Sequence, residues 1–315
     1  MFDPSSFDAQ LRRQFTADRV VRDAPMARFT TLRVGGPADW LVETRSAGET
    51  AAAMRLAHEA GAPVTVIGGG SNVLVGDRGI RGLVLRPRGG TVEAIDESLV
   101  RADAAVTLNG LVRWTISHRR AGLEAWAGTP GTVGGAVCGN AHYGGRLIGD
   151  LIETVLVAGA DGSLHELPRD AMEFGYDRSR LQRTHEVLIW AAFRLTPVSD
   201  ATVLRQVARR SLAHRKSTQP LDTPSAGCCF QNPAPGESVP EGMPSSAGAL
   251  IDRAGLKGHR LGGARVSTVH ANFIVNEGGA SAADIRALVA LCRDTVFARF
   301  GVSLREEIVY LGEFL

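Results

Sequence analysis

The sequence predicts a mixed α/β or α+β protein built from two or three compact units. The chain has 315 residues, more than a single hydrophobic core usually organises. Strand-like runs alternate with amphipathic helices through the first two thirds of the chain. Near Ser199 the regular β signal stops, and residues 217–248 form a stretch rich in Pro, Ser and Gly. We therefore expect a boundary between units close to Ser199.

Composition and charge narrow the class of protein. Apolar residues make up 44% and charged residues 22%, which is typical of a globular enzyme. The 35 basic and 33 acidic residues leave a net charge of +2, so neither nucleic acid nor an anionic membrane is expected as the main partner. No secretory signal and no membrane-spanning apolar run are visible. We expect a cytoplasmic protein without membrane insertion, and no obligate protein partner is evident.

The four cysteines and the histidines do not indicate a metal site. Cys138, Cys228, Cys229 and Cys292 lack CxxC spacing, which argues against a zinc site and against a disulfide framework. No pair of histidines within the recognisable motifs has the spacing of metal ligands. The sequence therefore predicts free thiols and no bound metal.

The first predicted elements surround a glycine loop. Ser46 and Glu49 suggest a capping box for a helix that ends near Gly61. A strand over residues 63–67 leads into the loop GGGSN, residues 68–72, and extended runs follow at 73–75 and 83–85. Because no helix follows, the loop is not a Rossmann fingerprint, and without a Lys-Ser/Thr pair it is not a P-loop. Such a loop can direct backbone N–H groups at a phosphate, but a tight hairpin turn explains it equally well.

A second glycine-rich segment covers residues 128–145. A helix over residues 108–116, with Gly122 as its C-cap, precedes this segment. Two such segments in one domain favour contact with both ends of a long phosphorylated cofactor over a tightly packed strand crossover. Residues 151–195 are mostly strand-like, with a turn at Asp161-Gly162.

The last part of the chain is predicted to contain two helices and a strand. Residues 203–212 form a helix with a basic face, and residues 281–300 form a helix capped by Ser281 and Asp284. The run at 308–311 is strand-like and follows the acidic pair Glu306-Glu307.

Seven motifs in one order give the chain a recognisable resemblance. They are TTLRVGGPADW (30–40), VIGGGSNVLVGD (66–77), GTPGTVGGAVCGNAHYGG (128–145), FGYDRS (174–179), PSAGCCFQNP (224–233), AGALIDRAGLKG (247–258) and HANFIVN (270–276). Over about residues 30–312 the chain resembles the UDP-N-acetylenolpyruvoylglucosamine reductases (UDP-N-acetylmuramate dehydrogenases), FAD enzymes of bacterial peptidoglycan precursor synthesis. Without a visible Tyr-bearing loop insertion, it is most similar to the shorter branch of that family.

The resemblance implies an α+β fold with a PCMH-type FAD-binding domain of two subdomains and a C-terminal α+β substrate-binding domain. We expect an N-terminal extension at 1–28, the FAD-binding domain at 29–198 and the substrate-binding domain at 199–315. The subdomains are expected at about 29–90 and 91–198.

The resemblance also implies FAD as cofactor and NADPH as the source of hydride for an enolpyruvyl substrate. The residues expected to bind the cofactor are Arg33, Gly35, Ile67, Gly68, Gly69, Gly70, Ser71, Asn72, Gly128, Thr129, Pro130, Gly131, Gly134, Gly135 and Ala136.

Three positions match the catalytic residues of the family. The proton donor is usually Ser in GSxFKNP, and the string GCCFQNP places Cys228 there; a thiol of pKa near 8.5 is mostly protonated at neutral pH. The arginine of GYRxS is displaced by one position in GYDRS, which favours Arg178, with Arg180 as the alternative. The pattern LxPEVRxxG aligns with residues 304–312 and makes Glu307 the catalytic carboxylate, with Glu306 as its competitor.

The resemblance assigns seven residues to the UDP-sugar substrate: Asn140, Tyr143, Tyr176, Asn232, Lys257, His270 and Asn272. Two cationic side chains that are common in the family are absent, because Val269 and Val309 stand where the family often has Lys and Arg. Two other functions stay open at this point. The chain could be another FAD oxidoreductase of the same fold, or a flavin or nucleotide-sugar binding protein without catalytic activity.

Overall fold

A computed structural model describes residues 2–234, 237, 239–240, 242–243 and 245–314. The chain folds into two compact units. Unit 1 comprises Met1–Ala24, Asp39–Gly69 and Gly82–His214, and unit 2 comprises Pro25–Ala38, Gly70–Arg81 and Arg215–Leu315. The chain thus passes from one unit to the other five times. The boundaries expected at 28/29 and 198/199 describe functional domains and stay predictions.

Helices and strands alternate along the described ranges. The helices are α1 (Pro4–Gln14), α2 (Ala47–Ala60), α3 (Leu108–Ser117), α4 (Val133–Cys138), α5 (Leu181–Thr184), α6 (Thr202–Thr218), α7 (Ala247–Arg253) and α8 (Ala282–Phe300). The strands are β1 (Val20–Pro25), β2 (Pro37–Thr44), β3 (Val64–Val66), β4 (Val73–Val75), β5 (Ile80–Pro87), β6 (Val92–Ala94), β7 (Leu99–Asp103), β8 (Arg120–Ala121), β9 (His142–Tyr143), β10 (Arg146–Leu147), β11 (Ile152–Ala158), β12 (Leu164–Pro168), β13 (Val187–Arg194), β14 (Thr196–Pro197), β15 (Ser225–Cys228), β16 (Arg260–Leu261), β17 (Ala264–Val266), β18 (Phe273–Asn276) and β19 (Val309–Leu311).

Two larger sheets organise unit 1. One has the order β1-β2-β5-β3, and most of its residues belong to this unit; β3 and β5 run parallel. The other is antiparallel in the order β12-β11-β13-β7-β6. Strand β13 contributes to two different cores, with Leu188, Ala191 and Phe193 in one and Val187 and Ile189 in the other, and its pairing with β11 has an irregularity between Leu188 and Trp190. Burial on both faces explains why this strand is a continuous apolar run.

Unit 2 is built around the antiparallel sheet β15-β18-β17-β16 and helix α8. Ile285, Leu288 and Val296 of α8 are fully buried in its core. The shorter segments of the unit are attached by side chains: both carboxylate oxygens of Asp77 accept from the N–H groups of Ala282 and Ala283, at 2.8 and 2.9 Å. Strand β4 pairs in parallel with the C-terminal β19.

The local predictions from the sequence are mostly confirmed. Helix α8 begins with a complete capping box of Ser281 and Asp284, as predicted. Helix α2 ends at Gly61 in the left-handed region, but its box is only half formed, because Glu49 accepts from the N–H of Arg45 instead of the N-cap N–H. None of the helices in the described ranges is both long and apolar enough to cross a bilayer.

The prediction that Gly122 caps α3 is wrong. The helix ends at Ser117 with His118 as its C-cap, and Gly122 (φ 138°) instead follows strand β8. The sequence predicted a helix up to Gly122, but Arg120 and Ala121 form strand β8, which pairs with β14. Gly122 is small for a packing reason, since a Cβ there would lie 3.0 Å from a methyl group of Leu195.

Candidate active site

The two glycine-rich segments contact each other within unit 1. A Cβ added to Gly69 would lie 2.8 Å from the Cα of Gly131, and one added to Gly68 would lie 2.4 Å from the hydroxyl of Thr132. Both distances are shorter than real Cβ contacts, so only glycine permits this approach. Ile67 anchors the first segment, because it is 1% exposed and donates its N–H to the carbonyl of Leu85.

The second segment is held by the helix it opens. Thr132 is the N-cap of α4 and accepts from the N–H of Gly135, and Gly134 donates to the carbonyl of Ala104 at 2.8 Å. Gly128 donates to the side chain of Asn109 at 2.7 Å. Thr129, Pro130 and Ala136 complete this stretch. The predicted cofactor residues of unit 1 therefore lie on two fixed, adjacent backbone segments.

The rest of the predicted cofactor residues belong to unit 2. Gly70 has φ 62°, and its added Cβ would lie 2.0 Å from the carbonyl oxygen of Phe29. Gly35 has φ 131° and lies against Val75, while Arg33 is a non-glycine residue at φ 56°. Ser71 is half-buried, and Asn72 donates its side-chain amide to the carbonyl of Glu307 at 3.2 Å.

The backbone of the unit 1 segments suits a phosphate-bearing cofactor. Over the described ranges, the N–H groups of Gly68, Gly69 and Gly131 have no hydrogen-bond acceptor. Unpartnered N–H groups on adjacent glycine segments form a site that favours an anion, and the missing side chains allow a pyrophosphate to approach. The residues present thus fit FAD. In the same ranges, no group of three or more His, Cys, Asp or Glu side chains is arranged to hold a metal ion.

The adjacent cysteines of unit 2 occupy different environments. Cys228 ends β15 opposite Phe273 and is partly exposed. Cys229 is 3% exposed within the core, and burial raises the pKa of its thiol far above the ordinary value. Burial likewise raises the pKa of Cys292, to about 12. Of the two adjacent thiols, Cys228 is thus the one that is accessible to solvent.

The segment that carries Glu307 is hydrogen-bonded to the segment that follows Cys228. Glu307 donates its backbone N–H to the carbonyl of Cys229 at 2.8 Å, and Gln231 donates to the carbonyl of Arg305 at 2.9 Å. Phe230 and Glu306 form an isolated antiparallel bridge between the same segments. The predicted proton donor and the predicted carboxylate therefore lie on paired backbone segments of one unit.

Glu306, the competitor of Glu307, is held by structural contacts. Its carboxylate accepts from Arg293 at 2.9 Å and also bonds the hydroxyl of Tyr310. Burial, followed by this bond to Glu306, raises the pKa of Tyr310 well above its ordinary value. The carboxylate of Glu306 is thus engaged by side chains of the protein itself.

The two candidate arginines of unit 1 also differ. Arg180 makes a two-pronged ion pair with Glu186, at 2.8 and 2.9 Å. Arg178 is exposed, and across the described part of the chain it forms no ion pair with a carboxylate. Its guanidinium lies over Gly175, where an added Cβ would be 3.2 Å from Nε. Arg178 thus has a cationic group available for an anionic ligand, whereas Arg180 does not.

Several residues predicted to bind substrate have clear structural contacts. Asn140 is fully buried, donates to the carbonyl of Gly175 at 2.7 Å and accepts from Gly149 at 2.8 Å. Asn272 is 3% exposed and bonds both the N–H and the carbonyl of Phe230. Asn232 accepts from the N–H of Ala247 at the start of α7. Their predicted substrate contacts stay predictions beside these structural roles.

The remaining predicted substrate residues are more accessible. Lys257 pairs with Asp252 at 2.7 Å, and burial together with the nearby Lys257 lowers the pKa of His270. Tyr176 is 48% exposed. Tyr143 lines a cleft of about 310 Å³ in unit 1 with Ala125, Val207, Arg210, Ser211 and His214. Of the catalytic candidates, Arg178 belongs to unit 1, and Cys228 and Glu307 belong to unit 2.

Sequence reasoning missed two features of unit 1. It assigned no role to Arg210 and His214 of the cleft, although the basic face of their helix was visible in the sequence. It also treated Asp177 only as an interruption of the GYRxS pattern. In the structure Asp177 accepts from His142 at 2.9 Å, a pairing of residues 35 positions apart that no local pattern indicates.

Known proteins match the chain over most of its length. Residues 38–168 match the FAD binding domain family, and residues 219–311 match the C-terminal domain of UDP-N-acetylenolpyruvoylglucosamine reductase. The reductase of Parasynechococcus marenigrum (strain WH8102) is 44% identical over 295 residues, which cover 91% of this chain and 94% of that protein. The reductase of Anaeromyxobacter sp. (strain Fw109-5) is 42% identical, covering 97% of this chain and 92% of that one.

A solved structure leads to the same conclusion. The crystal structure of the reductase from Thermus caldophilus matches with a TM-score of 0.77 and 34% identity, covering 93% of this chain and 99% of that chain. Together with the FAD-binding family match, it confirms the predicted α+β fold with a PCMH-type FAD-binding domain. FAD is therefore the cofactor that the adjacent glycine segments fit. The chain belongs to the UDP-N-acetylenolpyruvoylglucosamine reductase family and is an FAD-dependent oxidoreductase.

Proposed function

We propose that this enzyme uses NADPH to reduce the enolpyruvyl group of UDP-N-acetylglucosamine enolpyruvate, giving UDP-N-acetylmuramate for peptidoglycan synthesis. The observation that carries the proposal is the pairing of the segments bearing Cys228 and Glu307, seen in the 2.8 Å bond from Glu307 N–H to the Cys229 carbonyl. The chemistry that bound FAD would supply is the transfer of a hydride from NADPH to the enolpyruvyl carbon farther from the carboxylate. The protein's own residues must then manage charge and a proton.

Cys228 is the proposed proton donor. Addition of hydride to one carbon of the double bond leaves the carbon next to the carboxylate as an enolate, which must receive a proton. A partly exposed thiol suits this step, because a thiol is a stronger acid than the hydroxyl of serine. Donation leaves a thiolate, which regains its proton from solvent. Cys229 cannot substitute, since it is buried in the core.

Arg178 and Glu307 are the other two proposed catalytic residues. A guanidinium can donate hydrogen bonds to both oxygens of a carboxylate and so stabilise the charge that develops on the enolate. Arg178 is preferred because Arg180 is already engaged by Glu186. Glu307 is preferred over Glu306 for the parallel reason that Arg293 and Tyr310 hold Glu306. Glu307 would orient the thiol and relay its proton.

The other roles follow from the same proposal. Asn140, Tyr143, Tyr176, Asn232, Lys257, His270 and Asn272 are proposed to form or support the UDP-sugar site. We propose that residues 29–198 form the FAD-binding domain and residues 199–315 the substrate-binding domain, after an extension at 1–28. NADPH and UDP-sugars are intracellular metabolites of this chemistry, so we expect the enzyme to act in the cytoplasm.

The test is to incubate the purified flavoprotein with NADPH and UDP-N-acetylglucosamine enolpyruvate while following NADPH absorbance and product mass. The expected result is loss of one NADPH for each substrate reduced. Flavin bleaching without product would instead favour a binding protein. Flavin absorbance that stays in the pellet after acid precipitation would indicate a covalently tethered oxidase of the same fold and contradict the proposal.

A further inference from the structure

Three side chains of unit 1 form a polar chain beside Arg178. Asp177 Oδ1 lies 2.9 Å from His142 Nδ1, and His142 Nε2 lies 3.1 Å from the hydroxyl of Tyr176. The His142 and Tyr176 rings also pack together, with centroids 4.5 Å apart. The Asp177 side chain is only 14% exposed, so the hydrogen-bonded series of side chains begins inside the unit and ends at the exposed Tyr176.

For a neutral imidazole, these three hydrogen-bonded side chains allow only one arrangement of protons. A carboxylate accepts hydrogen bonds and donates none, so Nδ1 of His142 must carry the hydrogen. In the neutral imidazole the other nitrogen, Nε2, is then an acceptor, and the hydroxyl of Tyr176 donates to it. Asp177 therefore selects the tautomer of His142, and His142 fixes both the ring and the hydroxyl of Tyr176.

The same aspartate shapes the turn that carries Arg178. Gly175 and Arg178 exchange both backbone hydrogen bonds, at 2.9 and 3.1 Å, and Asp177 lies between them at φ 51°. Asp tolerates this left-handed conformation better than most residues. With Asp177 directed inward to His142, the next side chain, Arg178, lies on the outside over Gly175. Asn140 fixes the base of the turn by donating to the carbonyl of Gly175.

We infer that Asp177 and His142 are positioning residues that hold Tyr176 and Arg178 in place for the enolpyruvyl substrate. The inference rests on the proposed function, because it assigns the supported side chains to that substrate. Asp177, which stands where the pattern GYRxS has its arginine, is then not a lost contact. It supplies the carboxylate that rigidifies the displaced turn.

The kinetic test uses Asp177→Asn, which keeps the shape of the side chain but no longer selects one tautomer. We expect the KM for UDP-N-acetylglucosamine enolpyruvate to rise about 10- to 100-fold, the usual cost of losing a group that orients a binding side chain. Flavin content and the rate of flavin reduction at saturating NADPH should stay within about twofold of the wild type. The melting temperature should be close to that of the wild type. A merely structural role would lower flavin content and both half-reactions together, and that result would overturn the inference.

The chain offers a matched control in an exposed turn of the same unit. Ser163 donates to Asp161 there at 2.5 Å and contacts Nε2 of His165 at 2.7 Å. Asp161→Asn removes a comparable carboxylate beside a histidine, and it should leave the KM for the enolpyruvyl substrate unchanged. An equal rise of this KM in Asp161→Asn and Asp177→Asn would refute a specific role for Asp177.

A measurement on the wild-type holoenzyme separates this inference from the proposed function. Long-range ¹⁵N–¹H NMR reports the tautomer of each imidazole, and the His142 signals are assigned by their loss in His142→Gln. Protonation at Nδ1 is expected, and a neutral ring protonated at Nε2 would overturn the inference whatever the kinetics. If the wild-type enzyme does not reduce the enolpyruvyl substrate at all, the proposed function fails, while the NMR result still decides whether the hydrogen-bonded chain exists.

Discussion

Replacement of Gly69 by alanine tests whether contact between the glycine segments is required for FAD binding. Gly69 does not have a positive φ, so the backbone itself accepts an L residue. The obstacle is the new Cβ, which would lie 2.8 Å from the Cα of Gly131, whereas ordinary contact begins at 3.4 Å. The segments would have to separate by about 0.6 Å, and this displacement falls on backbone that cannot rotate away.

The expected size of the effect follows from this overlap. Overpacking of this kind costs about 1–3 kcal/mol. If the flavin-bound state bears that cost, FAD affinity falls roughly 5- to 150-fold. The apoprotein can relax by opening the loop, so its melting temperature should change less than that of the holoenzyme. The assay is titration of apoprotein with FAD, followed by quenching of flavin fluorescence, together with the melting temperatures of both forms.

Gly48→Ala is the matched control. Gly48 lies in helix α2, and nothing lies within 4 Å of an added Cβ. Alanine is favoured over glycine in a helix by about 0.5–1 kcal/mol, so this variant should bind FAD normally and melt slightly higher. If Gly69→Ala bound FAD as tightly as Gly48→Ala, the argument that these segments must touch to hold the cofactor would be wrong.

Three further predictions concern residues considered as catalytic candidates. Cys228→Ala should slow substrate reduction by about 100- to 10,000-fold while flavin reduction by NADPH persists, and Cys228→Ser should recover part of the loss; full activity of Cys228→Ala would remove the thiol from the mechanism. Glu307→Gln should abolish turnover without loss of folding, whereas Glu306→Gln should lower the melting temperature and spare turnover, a contrast that reverses if Glu306 is catalytic. Arg180→Ala should destabilise the fold by about 1–3 kcal/mol at neutral pH, measured by urea unfolding, because it leaves Glu186 without its ion pair.

The pH dependence of the last prediction follows from the pKa of Glu186. Burial by itself raises that pKa, but the hydrogen bonds from Arg180 and Thr184 outweigh it and leave the pKa below its ordinary value. A carboxylate with a depressed folded-state pKa stabilises the protein at pH values above its unfolded-state pKa of about 4.3. This stabilisation is lost as the pH falls through the folded-state pKa. The difference in unfolding free energy between wild type and Arg180→Ala should therefore be largest above about pH 5 and shrink on acidification.

Much of the fold was predictable because its signals are local. The capping box at Ser281, the C-cap at Gly61 and the runs that became β3 and β4 each depend on a few adjacent residues. The end of α3 was not predictable in this way, since tertiary pairing of β8 with β14 decides where the helix stops. The contribution of β13 to two cores was likewise not predictable, because a strand buried on both faces is a continuous apolar run without a period of two.

The candidate site shows the same contrast between what local sequence patterns predict and what tertiary contacts decide. The family resemblance assigned Cys228 and Glu307, and each of these residues has a chemically equivalent neighbour, Cys229 and Glu306. A strand turns adjacent side chains to opposite faces, so one member of the cysteine pair enters the core and the other does not. Glu306 is engaged by Arg293, a residue of α8 that no local pattern connects with it.

The displaced arginine extends this reasoning to a departure from the family pattern. A one-residue shift of a catalytic cation would be expected to misplace it by more than an active site tolerates. In this chain Asp177 stands at the arginine position of the pattern, occupies the left-handed position of a closed turn and accepts from His142, which on our inference holds the adjacent Arg178 in place. The departure and its compensation lie 35 residues apart in sequence but in direct contact in space. Loss of a pattern residue is therefore weak grounds for inferring loss of activity until the contacts of the residue that replaced it are known.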